Sequence, residues 1–150
     1  MQWVGILAAL GAGLLLPLQP GVNAELRRYL GSPFLAALGS FAGGTLALFC
    51  LSLALRVPWP SLHRVAQTPW WAWTGGFIGV CIVTTSIVLA PRIGAAALFS
   101  AVVTGQLVGS LLVDHFGLVG FEVQRLNAVR VLGVVLLLAG VYVIQLGSSR

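Results

Sequence analysis

Long runs of apolar residues, separated by short polar stretches, dominate the chain. Five runs are long enough to form helices across a bilayer core of about 30 Å, which takes roughly 20 residues. They cover approximately residues 3–29, 34–55, 71–90, 93–113 and 129–146. Because the runs are apolar on every face and lack the alternation of barrel strands, they predict helices. The expected fold is an all-α integral membrane protein, with five transmembrane helices in a single domain over residues 1–150.

Composition agrees with this class, since 59% of the residues are hydrophobic and 7% are charged. A net charge of +5 would suggest nucleic acid for a soluble chain. Here the basic residues are all arginines scattered among helix ends, which is typical of topology anchors, so no nucleic-acid partner is expected. Cys50 and Cys81 fall inside predicted spans without a nearby cluster of ligands. They are expected to be small core residues, with no metal site and no cofactor.

The links between the spans are short. The third and fourth spans are joined only by APRIG, which predicts a tight hairpin. Four tryptophans lie in or beside the link between the second and third spans: Trp59, Trp70, Trp71 and Trp73. An indole at a membrane edge keeps its ring in lipid and its N–H in water, so these residues predict an interfacial belt. Stacking against a substrate is the alternative.

The arginines divide evenly between the two sides of the predicted topology. The side of the N-terminus has Arg56, Arg64, Arg125 and Arg130, and the other side has Arg27, Arg28, Arg92 and Arg150. Because an excess of basic residues in cytoplasmic loops orients a membrane protein, an even division specifies orientation weakly. Either span hydrophobicity or a partner fixes one topology, or the chain inserts both ways and forms an antiparallel pair.

Gln19 and Asn23 are polar residues near the end of the first apolar run. If the helix continues through Pro20, these two residues are four apart and share one face. Membrane helices tolerate such prolines, so the segment is expected to line a cavity. In the alternative, Pro20 ends the helix and both residues belong to a turn.

A second polar set lies in the third and fourth spans. Gln106 and Ser110 share a face of the fourth span, which also holds Ser100 and Thr104. Hydroxyls in helices commonly bond back to their own backbone, but together with the amides they favour a polar interior. The third span adds Thr84, Thr85 and Ser86. The candidate substrate cavity comprises Gln19, Asn23, Gln106, Ser110, Thr85 and Ser86.

Acidic residues are absent from the centres of the predicted spans. Glu25, near the end of the first helix, is the single candidate for coupling transport to protons; pairing with Arg28 or contact with water are the alternatives. His63 and His115 are isolated residues of predicted loops, and no arrangement suits nucleophilic or paired-carboxylate catalysis. An enzyme is not expected.

Three segments carry a family resemblance: QPGVNAELRRYLGSPFLAALGSFAGGTLAL, LAPRIGAAALFSAVVTGQLVGSLLVDHFGL and RVLGVVLLLAGVYVI. Together with the five-span layout they resemble the YdcZ-type branch of the drug/metabolite transporter superfamily, which includes EamA-like and small multidrug resistance-like proteins. The last segment is similar to the final helix of small multidrug resistance transporters. That resemblance implies that Gly133 and Gly140 lie at an antiparallel dimer interface. Those transporters have a glutamate in the first helix where this chain has Leu14 to Leu16, so exchange of cationic drugs for protons is not expected.

The resemblance implies one half of an inverted-repeat transporter. Larger members of the superfamily look like two five-helix halves in opposite orientations, and transporters place substrate between such repeats. A second copy or a related partner, inverted in the bilayer of the cell's inner membrane, would complete the path. The expected function is a carrier for a small organic solute. The alternatives are a non-transporting scaffold or regulatory membrane protein, and a passive pore, which so few polar residues would wet poorly.

Overall fold

The computed structural model describes residues 2–148, which are almost entirely helical. Arg150, one of the arginines counted above, lies outside them. The helices are α1 (Gln2–Leu15), α2 (Leu18–Leu30), α3 (Pro33–Ala54), α4 (Leu62–Gln67), α5 (Gly75–Phe116) and α6 (Ala128–Ser148), with 3₁₀ turns at Trp70–Thr74 and Leu118–Gly120. Residues up to Arg92 form one compact unit, and those from Ile93 onward form another. The assignment of a single domain stays a prediction.

Helix length and hydropathy confirm the all-α membrane class. Among residues 2–148, four segments are long and apolar enough to cross a bilayer: Trp3–Leu30, Pro33–Ala54, Trp70–Phe116 and Ala128–Gly147. The first, second and last of them agree with predicted spans within a few residues. The third contains both of the remaining predicted spans, so the count of five is approximate and stays a prediction.

The 47-residue segment Trp70–Phe116 is too long for one upright passage. At about 1.5 Å per residue it would reach roughly 70 Å, more than twice the bilayer core. Inside it, Gly94 has φ 78° and ψ 162°, outside the helical region and accessible mainly to glycine. The predicted five-residue hairpin is therefore reduced to one non-helical residue. Pro91 remains helical because its ring fixes a helix-compatible φ and removes only one hydrogen bond.

The first apolar segment continues through Pro20 but breaks one turn earlier, between α1 and α2. Pro17 has no N–H for the carbonyl of Gly13, which instead accepts a hydrogen bond from the Leu16 N–H at 3.3 Å. Pro20 is the third residue of α2, where backbone N–H groups have no partner within the helix anyway. The alternative in which Pro20 ends the helix is therefore wrong, because α2 runs on to Leu30.

α2 and α3 are joined by a tight connection. Gly31 ends α2 with φ 72°, and its N–H donates to the Arg27 carbonyl at 2.8 Å. A left-handed glycine at this position is a common way to end a helix. Pro33 then opens α3 in its first turn, as expected from the sequence.

The core of the unit that ends at Arg92 is small and built from short side chains. Ala36 and Ala37 of α3 pack with Ile87 of α5, and Leu26 and Val83 cover this cluster. Glycine allows close approach nearby, because a Cβ added to Gly39 would lie 3.4 Å from Leu26 Cδ2. The remaining apolar surface is largely exposed, as lipid contact requires. Cys50 and Cys81 belong to that surface, so their expected place in the core is wrong.

In the other unit, a polar cluster connects the end of α5 to the start of α6. The Arg130 guanidinium donates to Asp114 at 3.1 Å and also to the Gln124 side chain. His115 lies in the last turn of α5, not in a loop, and its Nδ1 accepts from the Leu126 N–H at 3.3 Å. These contacts hold the segment after α5 against the helix ends and pair two charges at the membrane edge.

Candidate functional site

Asn23 is the most deeply buried of the predicted site residues. It lies in the middle of α2 and is 3% exposed. Its Nδ2 has no hydrogen-bond partner. A buried polar group without a partner costs about 1–3 kcal/mol, so such groups usually have a partner or a role. An amide sealed inside the protein with a free donor is therefore the first feature that indicates a ligand site.

The surroundings of Asn23 follow from the periodicity of α2. Leu26, three residues further along the helix, packs on the cluster of Ala36, Ala37 and Ile87. Because residues three apart lie on neighbouring parts of one helix face, Asn23 lies on the face of α2 that packs inward. Pro20, three residues earlier, is buried on the same face. The amide thus lies within the helix packing and not in a turn at the membrane surface.

The hydroxyl residues of α5 separate into different environments. Ser86 is buried, and its hydroxyl donates to the Ile82 carbonyl at 2.8 Å. Thr85 is exposed. Thr84 is half-buried, and its Oγ1 is buried without any partner. Successive helix residues point about 100° apart, so the three cannot share one face.

Among the described side chains, Asn23 Nδ2 and Thr84 Oγ1 are the buried polar atoms that lack a partner. Both belong to the unit that ends at Arg92. Asn23 precedes Leu26 by one turn, and Thr84 follows Val83 directly; Leu26 and Val83 cover the same core cluster. The two orphan atoms therefore belong to residues that are close in sequence to side chains covering one small core. In the sequence, Thr84 is one of three adjacent hydroxyl residues of the third span. No feature of the sequence favours it over Thr85 and Ser86 as a site residue.

The other predicted cavity residues face outward. Gln19 is exposed on α2, although Asn23 four residues later is buried. Gln106 and Ser110 are exposed on α5, and the Ser110 hydroxyl donates to its own helix at Leu107 O, 2.9 Å away. Their roles in a substrate cavity stay predictions.

Glu25 is paired, as one of the alternatives for it anticipated. Its carboxylate accepts a hydrogen bond from Arg28 at 3.0 Å, and both side chains are exposed. A surface pair of this kind contributes little to stability. The pair leaves Glu25 on the outside of α2, and its coupling role stays a prediction.

The glycines of α6 lie on an uncovered surface. A Cβ added to Gly133 or Gly140 would meet no atom within 4 Å in the described part of the chain. The two glycines are seven residues apart, which is close to two full turns, so they share one helix face. This face is available for close approach by another helix, and the interface role of the two glycines stays a prediction.

Comparison with protein families accounts for nearly the whole chain. Residues 4–143 match the family model DMT_YdcZ, described as "Putative inner membrane exporter, YdcZ". The chain belongs to the YdcZ family. Comparison with curated proteins and with solved structures gives no match.

Membership of the YdcZ family confirms the resemblance found in the sequence. It makes the protein a membrane transporter in general terms and places it in the inner membrane. The several apolar helices fit a protein that crosses this membrane more than once. Solute, oligomeric state and the shape of the path are not part of the family description.

Proposed function

We propose that this YdcZ-family protein is a secondary carrier for a small organic solute and works as an antiparallel dimer with a polar central cavity. The observation that carries the proposal is the Asn23 amide, which is 3% exposed and has a free Nδ2 donor. A carrier needs such a donor, because a solute that leaves water must find new hydrogen bonds inside the protein. Packing alone would favour an apolar residue at this position.

The chemistry of the two orphan atoms indicates the class of solute. An amide N–H₂ donates, and a hydroxyl both donates and accepts, without any charge. Together, Asn23 and Thr84 suit a neutral solute, or the neutral part of one, that carries carbonyl or hydroxyl groups. Sugars, neutral amino-acid side chains and nucleobases carry such groups.

Burial of Asn23 within its own protomer implies a closed conformation at this point of the path. A solute reaches the amide only when α2 moves away from the helices that cover it. Pro17 supports such motion, because α1 and α2 are separated there by a break in helical hydrogen bonding. Exposure of a buried site to each side of the membrane in turn is the behaviour of an alternating-access carrier.

Two observations support the antiparallel dimer. The even division of arginines between the two sides leaves orientation weakly specified. The face of α6 that contains Gly133 and Gly140 is open to a second helix. Small residues in membrane helices allow such close packing. Inverted copies would allow the outward-facing Gln19 of one protomer to line a path shared with the other.

Flux through reconstituted protein tests the proposal directly. Liposomes that contain the purified protein are loaded with isotopically labelled sugars, amino acids and nucleobases, and release of each solute is followed by mass spectrometry. We expect release of at least one solute class that saturates with concentration and exceeds that of protein-free liposomes. Release that rises linearly with concentration would instead indicate a pore, and no release of any class would favour a scaffold.

A further inference from the structure

The segment between α3 and α5 connects two helices that are long and apolar enough to cross a bilayer. It follows the end of one candidate span at Ala54 and includes the 3₁₀ turn Trp70–Thr74, with which the next candidate span begins. Extended backbone leads into the short helix α4, whose cap Ser61 Oγ accepts from the Arg64 N–H at 3.4 Å. Because one candidate span ends before this segment and the next begins within it, we expect the segment to lie at the depth of the lipid headgroups.

A cavity of about 240 Å³ opens within this segment. Its walls come from α4, from residues that flank it and from the following 3₁₀ turn: Pro60, Arg64, Val65, Thr68, Ala72 and Trp73. Typical small-molecule sites measure about 300–1,000 Å³. The cavity is therefore of a size for one polar headgroup, and it presents an arginine beside an indole ring.

Arg64 has no ion-pair partner among residues 2–148. The ion pairs among the described residues join Arg28 to Glu25 and Arg130 to Asp114. The segment from Leu55 to Thr74 contains two arginines and no acid. The Arg64 carbonyl accepts a hydrogen bond from the Thr68 hydroxyl at 3.0 Å. The Arg64 guanidinium has no hydrogen bond to any other described residue. Its five N–H donors remain free for an external anion.

The tryptophans around the cavity indicate its depth in the bilayer, independently of the Arg64 charge. Trp70 is 80% exposed, and Trp71 and Trp73 are also exposed beside it. Trp59 rests on Phe49 of α3 with ring centroids 6.0 Å apart. Exposed indoles collect at the headgroup level of a bilayer, so the cavity opens where lipid phosphates lie.

We propose that this cavity binds the phosphate of an anionic phospholipid, held by the Arg64 guanidinium with the lipid chains passing along the exposed indoles. Planar guanidinium groups suit bidentate contact with phosphate oxygens. An anionic lipid is favoured over a zwitterionic one because its headgroup brings no cation of its own to compete with Arg64. The site uses none of the residues proposed for the transport path or the dimer interface.

Lipid retention on the purified full-length protein tests this site. Native mass spectrometry counts lipids that stay bound after addition of phosphatidylglycerol or phosphatidylcholine to the detergent-solubilised protein. We expect the wild-type protein to prefer phosphatidylglycerol. Arg64→Gln should weaken its binding about fivefold, as expected for one lost arginine contact at an anionic surface. Arg64→Lys keeps the charge but not the planar fork. It should bind phosphatidylglycerol more weakly than the wild type and more tightly than Arg64→Gln.

Arg56→Gln is the matched control, because Arg56 lies in the same segment and outside the cavity. It should bind phosphatidylglycerol as the wild type does. Equal losses in both glutamine variants would indicate general attraction to the membrane and overturn the site. So would equal retention of both lipids by the wild type, a comparison that does not depend on any variant folding. Displacement of the lipid by inorganic phosphate, beyond the effect of chloride at equal ionic strength, would show a site for soluble anions and overturn the lipid assignment.

Discussion

Asn23→Leu is expected to reduce solute flux at least about fivefold while the protein stays as stable as the wild type or becomes more stable. The flux falls because the solute loses a hydrogen-bond donor inside the protein, a loss of about 1–3 kcal/mol. Stability does not fall, because the Nδ2 group that leucine removes has no partner to lose. Leucine also has a similar size and restores an apolar contact at a buried position.

A loss of flux without a loss of stability distinguishes a role of Asn23 in transport from a role in packing. Flux is measured in liposomes with the labelled solutes described above, and stability as the midpoint of thermal unfolding in detergent. Thr104→Val is the matched control, because the Thr104 hydroxyl is bonded to its own helix at Ser100 O, 2.8 Å away. It should change neither quantity much. If Asn23→Leu instead lowers stability, and flux falls only with the amount of folded protein, Asn23 is a packing residue.

Joint substitution of Gly133→Leu and Gly140→Leu is expected to convert the dimer to a monomer and abolish flux. Both glycines lie on one face of α6, and no described atom lies within 4 Å of an added Cβ. Within one protomer an added Cβ therefore meets no neighbour at either position. Between two protomers they would hold the helix backbones apart, which removes close packing. Weakening of the dimer by at least about tenfold corresponds to roughly 1.4 kcal/mol.

Light scattering coupled to size-exclusion chromatography measures the oligomeric state of this variant. Ala139→Leu is the control, because Ala139 precedes Gly140 by about 100° around the same helix. It adds similar bulk on another face and should leave the dimer intact. A dimer that persists in the double variant would exclude the glycine face as the interface, whatever happens to flux.

The membrane fold could be predicted from the sequence because it depends on run length alone. Apolar runs of about 20 residues must form helices in lipid whatever their neighbours are. Local breaks were harder to place. The first run contains both Pro17 and Pro20, and the helix breaks at Pro17 because Pro20 falls in the first turn of α2. Likewise, in the segment predicted to be a five-residue hairpin only Gly94 has a non-helical backbone conformation.

The site could be predicted only in part, because a helix that is apolar all round has no sequence signal for its inner face. Asn23 was identified, since an amide in lipid is conspicuous. The sequence does not distinguish Thr84 from Thr85 and Ser86, because only tertiary packing determines which of three adjacent hydroxyls is buried without a partner. The contact of Arg130 with Asp114 joins residues 16 apart and also follows from chain folding.

Orientation in the membrane is the most direct test of the antiparallel carrier. The native Cys50 and Cys81 are replaced by alanine, and Gln67→Cys puts a single thiol in the exposed helix α4. The chain is expressed alone, and spheroplasts are treated with a membrane-impermeant maleimide before and after permeabilisation. We predict that about half of the molecules react from outside and the rest only after permeabilisation. Reaction of every molecule from the same side would contradict the account.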